Sequence, residues 1–214
     1  MTMMTVNSVC SKPKTRGWRH KRLLDLVLCA IALPALVPVL FFIGLAVMVT
    51  SRGPAFFVQT RVGLAGDTFE MLKFRSMYVD AESRRNEVGH LSDRQGICLK
   101  VKHDPRITPI GRFLRRWSLD ELPQVINVLT GDMSFVGPRP GLPCEVAQYP
   151  EAAHQRHDVL PGITGLWQVS GRAEIGFDEM IELDLEYVRQ ISLWIDLRIL
   201  FRTVRVVMGG QGAY

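Results

Sequence analysis

Two adjacent carboxylates, Asp120 and Glu121, stand in the stretch Ser118–Asn127, which reads SLDELPQVIN. Arg112, Arg115 and Arg116 precede them, and Asp132 and a Gly-Pro-Arg-Pro run from Gly137 to Pro140 follow. An acidic pair beside clustered guanidinium groups suits a phosphate-bearing substrate that travels with a hard cation. Carboxylates hold Mg²⁺, and arginines grip phosphate oxygens in bidentate fashion. Asp120 and Glu121 are therefore candidate metal ligands. Arg112, Arg115, Arg116 and Arg139 are candidate phosphate ligands, Arg139 being held between two prolines. Lys73 and Arg75, which flank an aromatic in Lys73-Phe-Arg-Ser-Met, are further candidates. A local explanation competes. Ser118-x-x-Glu121 also reads as a capping box, with Asp120 complementing the helix dipole. Pro123 suits a first helical turn, where its missing N–H does no harm. Both explanations put the acids at a helix N-terminus, the edge of an anion site.

The elements that must position these residues divide unevenly along 214 residues, a length that suits one domain of ordinary size. The formal charge of +5 suits an anionic partner such as nucleic acid, lipid head groups or a phosphorylated substrate. Cys10, Cys29, Cys98 and Cys144 are far apart. They form no C-x-x-C pair, which argues against a zinc site and a disulfide framework and favours a reducing compartment. There is no phosphate-binding loop of the Walker type, and Gly63-x-x-Gly66 is not a dinucleotide fingerprint. Residues 1–22 end in six cations, Lys12 to Arg22, directly before an apolar run, as expected of an anchor to anionic head groups. From Leu26 to Thr50 no residue is charged. A straight helix of that length reaches roughly 37 Å, enough for a hydrocarbon core of about 30 Å. Pro34 and Pro38 interrupt the run, and Arg52 and Arg61 make both flanks positive. A spanning helix and a bent helix that returns to its own face both fit these facts.

Beyond the run, Ala55–Val62 and Asp67–Met71 read as a β-hairpin turned by Gly63 and Gly66. Asp80–Glu87 reads as a short surface helix and Gly89–Gly96 as a loop. Gly111–Trp117 and Leu122–Leu129 read as helices, the second closed by Thr130-Gly131-Asp132. His154 and His157, one turn apart, fit a surface helix better than a metal site. The segment from Pro161 to Arg172, glycine-rich with Trp167, suits either close backbone approach to a nucleotide or a tight turn with a core tryptophan. Phe177–Ser192 is an acidic helix. Ser192–Met208 carries Arg198, Arg202 and Arg205 as one stripe on an apolar helix, which fits a helix in the membrane interface or in a protein core.

These motifs together resemble the bacterial sugar transferase family, the monotopic polyprenyl-phosphate phosphoglycosyl transferases. The resemblance runs from Lys21 to Tyr214. It rests on Ser51-x-Gly-Pro-x-Phe-Phe, Lys73-Phe-Arg-Ser-Met, Ser118-Leu-Asp-Glu-Leu-Pro-Gln, Gly131-Asp-Met-Ser, Val136-Gly-Pro-Arg-Pro, Pro161-Gly-Ile-Thr-Gly and the run Trp167–Arg172. Such a resemblance implies a helix-rich α+β fold in its minimal catalytic form. A basic segment (1–22) leads to a re-entrant membrane helix-break-helix (23–51) broken at Pro34, where Leu33 replaces a serine common in the family. A compact cytoplasmic catalytic domain (52–214) with a small β-hairpin and interfacial amphipathic helices then follows. It also implies transfer of a sugar 1-phosphate from a UDP-sugar to polyprenyl (undecaprenyl) phosphate at the cytoplasmic face of the bacterial inner membrane, releasing UMP. Asp120 is the implied nucleophile, forming an aspartyl-phosphosugar intermediate beside Glu121, and Mg²⁺ the implied cofactor. Exopolysaccharide initiation with a hexose donor is the expected role. The competing readings are a membrane phosphohydrolase and a non-enzymatic basic scaffold. Nucleic acid is not expected as a partner, because the cations accompany apolar segments. Exposed apolar surface would face lipid or a second copy in a homodimer.

Overall fold

A computed structural model describes residues 18–84, 101, 104–171 and 175–209. The apolar run forms one helix, α1 (Trp18–Thr50), whose 33 residues include Pro34 and Pro38. The break expected at Pro34 does not interrupt it. A proline deletes one hydrogen bond and kinks a helix without ending it. A hairpin follows, with β1 (Phe56–Val62) antiparallel to β2 (Thr68–Phe74). Its turn is a 3-10 segment, Leu64–Gly66, with Ala65 and Gly66 at positive φ. Residues 79–84 are turn rather than helix, and the expected loop Gly89–Gly96 lies outside the described residues.

Helix α2 (Pro109–Arg116) starts on Thr108, whose hydroxyl accepts from the Gly111 amide, with Pro109 in the first turn. A 3-10 helix (Leu119–Gln124) leads into α3 (Val125–Thr130), which ends on Gly131 at φ 97°. The expected helix Leu122–Leu129 is thus split, with the buried Pro123 in its 3-10 half. Strand β3 (Ser134–Val136) pairs in parallel with β4 (Gly162–Thr164). Between them lie α4 (Pro143–Val146) and a 3-10 helix, Glu151–Asp158, that carries the exposed His154 and the buried His157. Short α5 (Leu166–Ser170) precedes α6 (Phe177–Gln190) and α7 (Leu193–Met208). The fold is helix-rich α+β with two small sheets.

Helix α1 lies along this body, and both its ends are fastened to it. At the front, Lys21 pairs with Asp196 of α7 at 2.7 Å, and the Tyr187 hydroxyl donates to the same carboxylate at 2.7 Å. Arg22 donates to the carbonyls of Val128 and Leu129, and Asp25 accepts from Ser134 and the Phe135 amide. Midway, Cys29 packs with Met71, Val125, Val128 and Met133. At the far end Val47 packs with Phe74 and Leu114, and Ser51 receives Arg75. The remaining faces of α1 carry exposed apolar residues, with Phe41 and Phe42 each 65% exposed. Helix α7 buries Asp196 and Ile199 but leaves Trp194, Leu197, Phe201, Val204 and Met208 exposed, three or four residues apart. Its exposed surface thus carries an apolar stripe beside the exposed Arg198, Arg202 and Arg205.

The Lys21–Asp196 pair is buried on both sides. Lys21→Met should cost about 3–5 kcal/mol, because an uncompensated buried carboxylate remains. A lowered thermal midpoint, partly recovered by adding Asp196→Asn, is the expected result. An unchanged midpoint would show that the pair does not fasten α1.

Candidate active site

A cleft of about 920 Å³ opens between the hairpin, the 3-10 helix Leu119–Gln124, the Pro-Arg-Pro turn and α1. Asp120, Glu121, Lys73, Arg75, Arg115 and Arg139 all line it. Arg112 and Arg116 do not. On α2 the inward face is the buried Gly111 and Leu114 and the half-buried Arg115, at i, i+3 and i+4. That spacing turns Arg112 and Arg116 to solvent, where Arg116 lies 5.8 Å from the centre of the Trp117 ring. Arg115 is steered inward by its Nε, which donates to Ser76 Oγ at 2.9 Å. Arg75 reaches the cleft but commits Nη2 to Ser51 at the end of α1.

The acid pair is not capped as a helix start. Ser118 sits at φ 53°, ψ 24° and makes no side-chain capping bond. A serine in the left-handed region is strained, and here it turns the chain out of α2 directly before the acids. Asp120 and Glu121 lie in the first turn of a 3-10 helix of six residues, so the expected α-helical N-terminus starts only at Val125. The two carboxylates differ in their partners. Glu121 accepts from Arg139 Nη2 at 2.5 Å. Asp120 has no hydrogen bond or ion pair among the described residues, and the cations Arg115, Lys73 and Arg139 act on it through space. Burial, then repulsion from Glu121, pushes its carboxyl above the usual range. Lys73 is pushed down to about 7, chiefly by burial and then by the charges of Arg139 and Arg61. Arg139 is held above its ordinary value, first by Glu121. The cations Arg61, Lys73, Arg115 and Arg139 thus surround Asp120 and Glu121, with Glu145 also acting on Arg61 and Arg139, a positive setting that suits phosphate oxygens.

Arg61 is a cleft residue that the motifs alone do not single out. Register explains its place. Phe57 stands opposite Lys73 and Gln59 opposite Met71, so Phe57, Gln59, Arg61 and Lys73 share the face turned to the cleft. The alternation Phe57-x-Gln59-x-Arg61 is legible in the sequence, but its partner strand's register is needed to point it at Lys73. Tyr149, Arg156, Thr164, Trp167 and Gln168 line another wall. Trp167 is half-buried, packed on the core cluster that holds Tyr149, Met180 and Ile181 while also lining the cleft wall. An apolar wall of Ala32, Leu36, Phe135, Ile163 and Val207 joins α1 to α7. Among the described residues no three His, Cys, Asp or Glu side chains cluster as a metal cage. Two carboxylates facing a space for phosphate oxygens are nonetheless a donor set that Mg²⁺ accepts, since it retains waters and shares substrate oxygens.

The chain is similar to several characterised proteins. It is 44% identical to the galactosyl transferase CpsE of Streptococcus agalactiae serotype III, over 89% of this chain and 41% of that protein. It is 43% identical to the UDP-glucose:undecaprenyl-phosphate glucose-1-phosphate transferase of Escherichia coli K12, over 91% of this chain and 41% of that one. It is 37% identical to the exopolysaccharide production protein ExoY of Sinorhizobium fredii, over 92% of this chain and 89% of that one. The chain thus spans about two fifths of the longer relatives and nearly all of the short one. The profile for bacterial sugar transferases matches residues 16–210, from before α1 through the whole of α7 and every residue that lines the cleft, and the chain belongs to that family.

Proposed function

We propose that this protein transfers a sugar 1-phosphate from a UDP-sugar to polyprenyl phosphate at the cytoplasmic face of the bacterial inner membrane, releasing UMP. The observation that carries the reading is the asymmetry of the acid pair. Glu121 is committed to Arg139, while Asp120 faces the cleft with no hydrogen-bond partner among the described residues, amid Lys73, Arg115 and Arg139. An ionised carboxylate attacks phosphorus without a separate base. Asp120 Oδ bonds to the sugar-bearing phosphorus, the P–O bond to UMP breaks, and UMP leaves with the electron pair. An oxygen of polyprenyl phosphate then attacks the same phosphorus and restores the free carboxylate. Repulsion between anions dominates both barriers, and Lys73, Arg115 and Arg139 are placed to offset it. Asp120 and Glu121 would hold Mg²⁺ with the substrate's phosphate oxygens, and the ion would supply further neutralising charge. Donor and acceptor classes follow the relatives, whose names specify a galactosyl transferase and a UDP-glucose:undecaprenyl-phosphate glucose-1-phosphate transferase. Galactose and glucose are accordingly the first donors to try, with exopolysaccharide initiation as the role.

The apolar wall from α1 to α7 suits a prenyl chain, and the exposed stripes of both helices suit a bilayer. Helix α1 would span about 50 Å if straight, yet Lys21 and Arg22 at one end and Val47 and Ser51 at the other all dock on one polar body. A helix crossing the bilayer would carry one end away from that body. We therefore infer a re-entrant path for α1, with both ends on the cytoplasmic side and the exposed Pro34, near its middle, turned to the bilayer.

UMP release by the detergent-purified protein, with Mg²⁺, undecaprenyl phosphate and UDP-glucose, UDP-galactose or N-acetylated donors, is the test. Continuous release that needs both lipid and metal is expected. Continuous release without lipid would mean hydrolysis, and no release with any donor would overturn the proposal.

A further inference from the structure

The turn that presents Arg139 is poor in hydrogen-bond donors, because Pro138 and Pro140 have no N–H. It is fastened instead through its carbonyls. Four consecutive ones accept a bond: Pro138 O from the Gly162 amide at 2.9 Å, Arg139 O from Arg156 Nη2 at 2.8 Å, Pro140 O from Arg61 Nη1 at 3.0 Å and Gly141 O from the Val62 amide at 3.0 Å. Two of the four donors are backbone, which strand pairing and turns supply everywhere. The other two are guanidinium groups, and they take the carbonyls of Arg139 itself and of its successor. Each is anchored away from the turn. Arg61 binds Gln59 Oε1 through Nε at 3.2 Å and Nη2 at 2.6 Å. Arg156 is 2% exposed, donates through Nη1 to the Tyr149 hydroxyl at 3.1 Å, and forms an ion pair with Asp184 of α6, which is 1% exposed. A buried ion pair is a poor source of stability, so its position needs another account.

We propose that Arg156 and Asp184 are positioning residues for the transfer reaction, holding the backbone of Arg139 so that its guanidinium stays on Glu121 and leaves Asp120 free; the inference rests on the function proposed above. Arg61 is the second arm of the same clamp. The chain of contacts runs from Asp184 through Arg156 to the Arg139 carbonyl, and from the Arg139 guanidinium to Glu121 at 2.5 Å. No further donor on Arg156 has to touch a substrate for this role.

The test uses the whole protein in detergent and two readouts, UMP-release kinetics and amide hydrogen exchange. Arg156→Lys keeps a cation for Asp184 but lacks the planar fork that serves the Arg139 carbonyl and Tyr149 together. Exchange over residues 137–142 is expected to quicken roughly fivefold, the effect of losing about one hydrogen bond, with the hairpin 56–74 unchanged. With UDP-glucose or UDP-galactose, kcat is expected to fall on the order of 100-fold, as for a small misplacement of a catalytic group, while KM changes little. In an Arg139→Ala background, Arg156→Lys should have almost no further effect, because the two act in series. Asp184→Asn should repeat the pattern more weakly, and it replaces Arg156→Lys if hairpin exchange shows that variant to be unfolded. Unchanged exchange over 137–142, or an equal loss in the Arg139→Ala background, overturns the clamp. If the wild-type protein releases no UMP, the proposed function falls and the exchange experiment still decides the clamp.

Discussion

Asp120→Asn is expected to lower UMP release by on the order of 10⁴- to 10⁶-fold, the range seen when a group that forms the covalent bond is removed. Asparagine matches aspartate in shape but has no anionic oxygen to attack phosphorus. The fold should survive. Asp120 makes no hydrogen bond or ion pair among the described residues, and burial already disfavours its charge. A carboxyl whose folded value is raised penalises the native state at neutral pH, and the penalty fades as pH falls through that value. The neutral variant lacks the penalty, so its thermal midpoint at neutral pH should equal or exceed that of the wild type. Glu121→Gln should behave differently. It loses the Arg139 ion pair while Asp120 stays available, and a fall of about 10²- to 10³-fold is expected, as for removal of one electrostatic group. Trapping radiolabelled phosphosugar on the protein separates the roles. Label should appear on wild-type protein given donor without lipid, appear slowly on Glu121→Gln, and be absent from Asp120→Asn. Near-normal turnover by Asp120→Asn would sink the nucleophile assignment.

Donor binding should take up protons near neutral pH, with Lys73 as their destination. Burial and the neighbouring charges of Arg139 and Arg61 hold its ammonium near pH 7. A bound diphosphate adds negative charge beside it and draws that value back up. The sign follows. Below about pH 7 the ammonium is already present and affinity is independent of pH. Above it, each binding event must protonate Lys73, so Kd should rise by up to about tenfold per pH unit. Calorimetry of UDP-glucose binding between pH 6 and 9, in buffers of different ionisation enthalpy, measures both the slope and the proton count. Lys73→Arg keeps the charge and should flatten the dependence. Lys73→Met should weaken kcat/KM by about 10²-fold below pH 7, and the deficit should shrink as pH rises above that value. Binding that is flat across this range, with no proton taken up, would remove Lys73 from the phosphate site.

Local sequence determined the local elements. Gly63 and Gly66 with the alternation of β1 specify the hairpin, and hairpin turns fix register. Thr108-Pro109 starts α2, Gly131 ends α3 and Ser192 caps α7, each through one side chain or one backbone conformation. The charge-free run specified α1 as a helix long and apolar enough to cross a membrane, and the acid–arginine cluster marked the candidate site. Ser118-x-x-Glu121 fits a local capping box as well as an acid–arginine site, and the partner that holds Glu121 is not a neighbour in the chain. Arg139 lies 18 positions away and reaches it only once β3 pairs with β4, whose three-residue strands Ser134–Val136 and Gly162–Thr164 are too short to show a period.

Tertiary structure likewise chose among the arginines. Arg112, Arg115 and Arg116 are equivalent by composition, and α2 can turn only one face to the cleft. Packing of Leu114 against Val47 and Phe74 selects the face that carries Arg115. It also enlisted Arg61 and Arg156, which belong to no acid–arginine cluster in the chain, and fastened Lys21 to Asp196 across 175 positions. The division has one physical cause. Turns, caps and alternation depend on neighbours within a few residues, so they are written in order along the chain. Which charge faces which depends on contacts that exist only after non-local strands and helices have closed around a shared core.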